Sequence, residues 1–240
     1  MAVRRLLLLL FLFFLGCIGQ AQWTVHVIDD GISEYTIEDL KLMETSTILE
    51  TVIETDIEKV EWEGVSAQEF GVGDIINFIS EDGYMVSIPY DVEVILAFKK
   101  DGKSIGRDEG GPLKIAVDPY YGCKCNWLKY LRIVEFVNAE NSLSVYGDVV
   151  TLLTFSPRDL NLYYGIEAVL NNMSAEVPLM FIVDKAICKE NATKITFVTK
   201  EGRYSYSLSD IREKELVLVY DEGFHVYGLG ITDLKGIKIE

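Results

Sequence analysis

Histidine is nearly missing from this sequence. His26 and His225 are the two among 240 residues, which leaves little room for acid–base catalysis built on imidazole. Both lie in β-rich runs where facing solvent or a neighbour explains them. Basic residues are scarce as well: 22 lysines and arginines stand against 38 acids, a formal charge of −16. A chain this acidic lacks the positive field that duplex DNA, RNA or an anionic membrane surface requires. Past residue 21 no apolar run is long enough to cross a bilayer. There is no CxxC redox pair, CxxCH haem attachment, P-loop, Gly-x-Ser-x-Gly elbow, HExxH helix or EF-hand loop, so the nucleophilic, metal and phosphate chemistries that depend on them are not written here. Disorder is excluded too, because 49% of residues are hydrophobic and such a chain can bury enough surface to fold.

What is present begins with a leader. Arg4 and Arg5 precede an apolar run from Leu6 to Leu15, then small and polar residues to Ala21, the pattern of a secretory signal over residues 1–21. Gly19-Gln20-Ala21 is a small-x-small cleavage pattern that predicts a mature chain from Gln22. Leu15-Gly16-Cys17 offers a competing end, similar to a lipoprotein signal, with Cys17 lipidated. A retained N-terminal membrane anchor is a third alternative. Each places the protein outside the cytoplasm, secreted or attached to the cell envelope.

Three cysteines then remain, Cys123, Cys125 and Cys188. An odd number implies at least one thiol outside an intramolecular bridge. Cys123 and Cys125 are too close for an easy mutual disulfide, so a bridge from either to Cys188 is expected, with redox work as the alternative use. A CxC alone is a poor zinc signal, and no metal site is expected. The sequons at Asn172 and Asn191 are expected to be exposed and open to glycosylation.

The mature chain reads as two related halves. Thr36 caps a short helix with Asp39 three residues on, and Ser156-Pro157 opens another with Asp159 three on. Ser66 and Glu69 form a further capping-box pattern. Strand signals at residues 76–83, 94–102 and 128–133 return at 195–202, 216–223 and 234–239. The domains expected are residues 22–140 and a shorter, divergent copy over 141–240. The second copy lacks the stretch holding Gly110, Gly111, Pro112 and the paired cysteines, so any special chemistry is expected in the first. Tyr120 and Tyr121, beside Cys123, form the expected binding surface.

In the first half the order of five segments is specific: Val60-Glu-Trp-Glu-Gly-Val-Ser66, Asp82-Gly-Tyr84, Ile95-Leu-Ala-Phe-Lys-Lys-Asp-Gly102, Glu109-Gly-Gly-Pro-Leu-Lys-Ile-Ala-Val117 and Trp127-Leu-Lys-Tyr-Leu-Arg-Ile133. Over residues 23–137 this order resembles the molybdopterin-binding oxidoreductase domain family, the sulfite oxidase-like group. The resemblance implies an α+β fold of mixed sheets with short helices, and a cofactor-side turn at Gly110, Gly111 and Pro112. It also implies a metal-ligating cysteine upstream of Trp62, yet residues 46–59 contain none. Residues 34–63 carry ten acids against Lys41 and Lys59, a balance that repels a pterin phosphate. The expectation is therefore an exported, non-catalytic binding or structural module with no cofactor, recognising a small molecule or a protein. The alternative is a molybdopterin-dependent oxidoreductase.

Overall fold

The computed structural model describes residues 22–53, 57–121, 124–173 and 176–240; Cys17 and Cys123 lie outside them. The chain forms mixed β-sheets with few, short helices, the α+β class that the sequence leads one to expect. The first half holds β1 (Thr24–Ile28), β2 (Ile32–Thr36), α1 (Ile37–Leu40), β3 (Ser46–Ile53), β4 (Ile57–Ser66), β5 (Ile75–Ser80), β6 (Met85–Pro89), β7 (Val94–Lys100), β8 (Lys103–Ser104), β9 (Lys114–Val117) and β10 (Leu131–Val137). Its strands make two sheets. One has the order β2-β1-β10-β5-β6, and in the other β3-β4-β7-β8 is extended by β9 on β7.

The two sheets face each other across a core that follows from period-two alternation. Val25 and Val27 of β1, Ile76 and Phe78 of β5, and Val134 and Phe136 of β10 point to one side. They meet Val94, Leu96 and Phe98 of β7 and Ile115 and Val117 of β9. The other face of β7 presents Ile95 and Ala97, which pack with Ile48, Val60, Trp62 and Trp127 in a separate, smaller cluster. Sheet β3-β4-β7-β9 is therefore apolar on both faces, and among the described residues no second sheet covers its outer face.

A β-bulge shapes that outer face. Trp62 pairs with Lys100 and Glu63 with Lys99, but Gly64 pairs with Ala97, leaving Phe98 as the extra residue. The inserted residue shifts the alternation of β7, so Lys100 and Ala97 share a face, and Ala97 is paired with Lys114. Gly64 is required there. A Cβ at this position would lie 2.1 Å from the Leu96 carbonyl oxygen, closer than real contacts allow.

After a single 3₁₀ turn at Ala139–Asn141, the second half contributes β11 (Leu143–Gly147), β12 (Leu153–Phe155), α2 (Ile166–Asn171), β13 (Glu176–Pro178), α3 (Leu179–Lys185), β14 (Lys194–Thr199), β15 (Arg203–Ser207), α4 (Leu208–Arg212), β16 (Val217–Tyr220), β17 (Phe224–Tyr227) and β18 (Ile231–Ile239). Strand β1 runs parallel to β10 and antiparallel to β2, with β5 and β6 following antiparallel beyond β10. Strand β11 runs parallel to β18 and antiparallel to β12, with β14 and β15 following antiparallel beyond β18. The turn after the second strand of each half carries the same reciprocal bonds, leading into α1 in the first half and into a 3₁₀ helix over Arg158–Tyr164 in the second. Asp39 N–H donates to Thr36 Oγ1 at 3.2 Å while Thr36 N–H donates to Asp39 Oδ2 at 2.8 Å. Asp159 N–H and Ser156 N–H make the same pair of bonds at 3.2 and 2.8 Å. The third expected cap is not made: Ser66 donates to the Gln68 side chain instead, at 2.8 Å, because the chain forms only one 3₁₀ turn over Ala67–Glu69.

The halves join through the free face of sheet β2-β1-β10-β5-β6. Ile79, Met85 and Ile133 pack into the second half's core with Phe155, Leu160 and Val177. Between them runs a buried polar seam. Asn77 Nδ2 donates to the Thr154 carbonyl at 2.7 Å and to Asp159 Oδ2 at 2.8 Å, and Ser156 Oγ donates to Glu135 Oε1 at 2.8 Å. Among the described residues no helix is long and apolar enough to cross a membrane.

Candidate functional site

The outer face of sheet β3-β4-β7-β9 carries a cavity of about 540 Å³ lined by Glu50, Trp62, Lys100, Glu109, Lys114, Lys124, Trp127 and Lys129, with Val60 at its base. Four of the chain's 15 lysines converge here, against two carboxylates. The site is locally cationic in a protein of charge −16, which is the reverse of what bulk composition suggests.

Each lysine arrives from a different element. Lys100 ends β7 and is placed by the bulge. Lys114 opens β9, opposite Ala97. Lys124 starts a 3₁₀ turn over Lys124–Asn126, and Lys129 lies in the segment leading into β10. Lys114 is the unusual member. It is only 6% exposed, and no described carboxylate lies within ion-pair distance of it. Its Nζ sits instead over the Trp62 ring, 4.2 Å from the centroid, and 5.6 Å from that of Trp127. The two indoles meet edge to face at 5.8 Å. Burial, followed by the neighbouring charge of Lys129, pulls the Lys114 ammonium down to about 8.

Glu50 is the counterweight. Its Oε2 accepts from Trp62 Nε1 at 2.9 Å, and its Oε1 lies 2.5 Å from Lys124 Nζ. Burial alone would raise this carboxyl, but the bonds from Lys124 and Trp62 and the charges of Lys124 and Lys114 hold it below the ordinary value. Glu109 pairs with Lys100 at 2.8 Å. Among the described residues of the acidic stretch 34–63, Glu50 is the acid that lines this cavity, and lysines from later in the chain outnumber it. The described lining thus collects cations although the local segment is acidic.

A second cavity of about 530 Å³ adjoins the first through shared Glu50, Lys124 and Trp127, and adds Leu49, Thr51, Pro119, Tyr120 and Tyr121. Tyr120 is 97% exposed, and Tyr121 is half-buried. Gly110, Gly111 and Pro112 stand at the edge of the lysine cavity, between its Glu109 and Lys114. Gly110 has φ +93°, and Lys129 packs so closely that a Cβ would meet its Cγ at 2.5 Å. Pro112 itself faces another cleft, with Trp23 and Arg107.

Cys188 carries a free thiol; Cys123 and the Cys125 side chain, its expected bridging partners, lie outside the described residues. The Cys188 backbone bridges Val149, and Arg212 lies beside it. Burial pushes the thiol up. Among the described residues no cluster of histidine, cysteine and carboxylate side chains fits a metal ion. Asn172, in the left-handed region after α2, and Asn191, in a turn, are both exposed.

Sequence reasoning missed the lysines as a set although each stands in a segment singled out for another reason: Lys100 in the Ile95–Gly102 strand, Lys114 after Gly-Gly-Pro-Leu, Lys124 between the cysteines, and Lys129 after Trp127. The signal was that these segments keep basic residues in a chain that is otherwise strongly acidic.

A family model described as "oxidoreductase molybdopterin binding domain" matches residues 17–146, slightly more than half of the chain. No curated relative matches. The crystal structure of the sulfane dehydrogenase SoxCD from Paracoccus pantotrophus is similar, with a TM-score of 0.40 and 12% identity. The similarity covers 90% of this chain and 61% of that one, so this chain accounts for less than two thirds of that protein's length. The family match corrects the expectation of no cofactor: the group it points to is molybdopterin. The chain's own residues suit part of that group. Four lysines and two indoles provide cations for a phosphate and aromatic faces for a heterocycle. Residues 46–59 hold no cysteine, and that strand presents Glu50 and Thr51 to the cavities. Among the described residues no thiolate lines either cavity, while Cys123 and the Cys125 side chain, which flank Lys124 in sequence, lie outside the described residues.

Proposed function

The chain belongs to the oxidoreductase molybdopterin-binding domain family, and on that premise we propose that it is an exported binding module whose lysine cavity holds an anionic heteroaromatic ligand of the molybdopterin class without supporting thiolate-ligated metal catalysis. One observation carries this reading: Lys114 is buried over Trp62 without a carboxylate partner, and Lys100, Lys124 and Lys129 surround it. An unpaired buried ammonium is unfavourable unless an anion completes it. The missing cysteine, with Glu50 and Thr51 on the cavity strand, supports the non-catalytic part.

The same proposal includes a tandem organisation. The matching strand order and direction in the two halves, and the two reciprocal caps at Thr36 and Ser156, support residues 22–140 and 141–240 as two copies of one unit. The leader over residues 1–21 supports export, as a secreted or envelope-attached protein. The second copy lacks the loop that brings Lys124 and Lys129, and it serves as a scaffold behind the first.

The test is to purify the native protein from cells that make the cofactor, oxidise it and measure pterin fluorescence alongside molybdenum. Pterin without stoichiometric molybdenum, lost in a K114A/K124A variant, is expected. Stoichiometric molybdenum with substrate turnover would overturn the non-catalytic reading. Failure to retain or bind a pterin phosphate would overturn the ligand class.

A further inference from the structure

We propose that Lys114 is a covalent attachment site, forming a reversible imine with small anionic aldehydes that enter the lysine cavity. The inference rests on the cavity reading above and deepens it, because it assigns one of the four lysines a bond-forming role. The geometry separates Lys114 from its neighbours. Lys100 is neutralised by Glu109 at 2.8 Å and Lys124 by Glu50 at 2.5 Å, and Lys129 is exposed to water. Only Lys114 combines burial, an aromatic floor at 4.2 Å and no described carboxylate partner. A desolvated amine beside other cations is more readily neutral, and a neutral amine is the nucleophile.

The remaining lining suits the electrophile. Lys129, which has no carboxylate partner among the described residues, offers charge to an anionic substituent, and Trp62 and Trp127 offer faces to a ring. The step balances without an added oxidant or reductant. The Nζ lone pair attacks the carbonyl carbon, a C–N bond forms and the carbonyl oxygen takes up a proton as the nitrogen releases one. The carbinolamine hydroxyl then leaves as water after taking up a proton, the nitrogen lone pair forms the C=N bond, and the nitrogen gives up its remaining proton to solvent to leave the imine. Solvent, which reaches the cavity past exposed Lys124 and Lys129, exchanges these protons.

The experiment uses the full chain and pyridoxal 5′-phosphate as probe, followed by borohydride reduction and peptide mass mapping. The adduct is expected on Lys114 ahead of exposed Lys59, Lys103 and Lys200. Labelling should rise through pH about 8, where the Lys114 ammonium releases its proton. Lys114→Arg keeps the charge and should lose the adduct, and pyridoxal without its phosphate should label weakly. Mapping needs no variant, so a misfolded K114R does not leave the question open. Uniform labelling across surface lysines, or a profile that rises only near pH 10 as for solvated lysines, would overturn the proposal. If the protein retains pterin but gives no Lys114 adduct, the amine role fails and the binding reading stands. If it does neither, both fail.

Discussion

Glu135 of β10 and Asp159 of the second half lie side by side in the junction, 4% and 0% exposed, with Ser156 hydrogen-bonded to both. Glu135 Oε2 and Asp159 Oδ1 have no donor of their own. Two neighbouring buried acceptors are satisfied when the pair keeps a proton. Burial, and then the charge of Asp159, raises Glu135 well above the usual carboxyl range, and burial raises Asp159 as well.

The pH consequence follows from linkage. Above about pH 4 the unfolded chain releases both protons while the folded chain retains one. Fewer protons are then bound in the unfolded state, so stability falls as pH rises toward the raised folded values. Glu135→Gln supplies a neutral group with a donor for Asp159 and an acceptor for Ser156. It should melt above the wild type at pH 8, where a gain of about 1 kcal/mol raises the midpoint by roughly 2–4 °C in a chain of this size. The two proteins should converge below about pH 4, where the unfolded chain keeps both protons as well. Melting curves that stay parallel from pH 5 to 8 would show that the pair holds no extra proton.

Glu50 should behave in the opposite sense. Its carboxyl is lowered in the folded chain, so its contribution is present at neutral pH and is lost as pH falls through that lowered value. Glu50→Gln keeps an acceptor for Trp62 Nε1 and removes the charge beside Lys124. Stability at pH 7 should drop by about 1 kcal/mol, and this loss should shrink as pH falls below the ordinary carboxyl range and through the lowered value. Anion binding should strengthen because the lining gains one positive charge. Calorimetric titration with inorganic phosphate should show an affinity about fivefold higher, with the gain reduced by added salt. Weaker phosphate binding in the variant would mean that Glu50 organises the lysines rather than opposing the anion.

Gly110 and Gly111 should separate when tested singly. At Gly110 the obstacle is the flexible Lys129 side chain, and φ is +93°. Gly110→Ala should cost about 1–2 kcal/mol for the left-handed conformation and, by displacing Lys129, weaken phosphate binding. At Gly111 a Cβ would lie 2.3 Å from the Ile105 carbonyl oxygen, and backbone cannot rotate away as a side chain does. Gly111→Ala should lower the denaturant midpoint more than Gly110→Ala does. An equal loss in both would show that the turn yields as a unit.

The strands were legible as short β-rich runs: residues 24–28 alternate, whereas 75–80 and 94–100 are near-continuous apolar runs buried on both faces. The Thr36–Asp39 and Ser156–Asp159 pairs mark the turns that follow β2 and β12. The hairpin β3–β4 was less visible, since Glu50, Glu61 and Glu63 interrupt its apolar pattern and those acids find partners only across the fold: Glu50 on Lys124, Glu63 on Lys99. The cavity was hidden for the same reason. Its lysines are up to 29 residues apart in sequence and share a face only through a bulge at Phe98, which nothing but Gly64 foreshadows.

The last prediction concerns how the halves hold together. Asn77, fully buried on β5, donates to Thr154 O and Asp159 Oδ2 and accepts from Ser87 Oγ at 2.7 Å. Thr154 N–H in turn donates to Ser87 Oγ at 2.9 Å. One side chain thus satisfies groups from both halves. Asn77→Leu preserves volume but strands a carbonyl and a carboxylate in the seam, a loss of about 3 kcal/mol. Ser87→Ala removes a smaller share, about 1 kcal/mol. Because the injury in Asn77→Leu falls on the junction rather than on either core, each half should keep its own packing. The variant should then unfold in two steps in urea, and protease should cut first within residues 138–142, the connection between β10 and β11. A single transition shifted to lower urea, with no preferred cut, would show that the two halves do not fold apart and that the seam belongs to one cooperative unit.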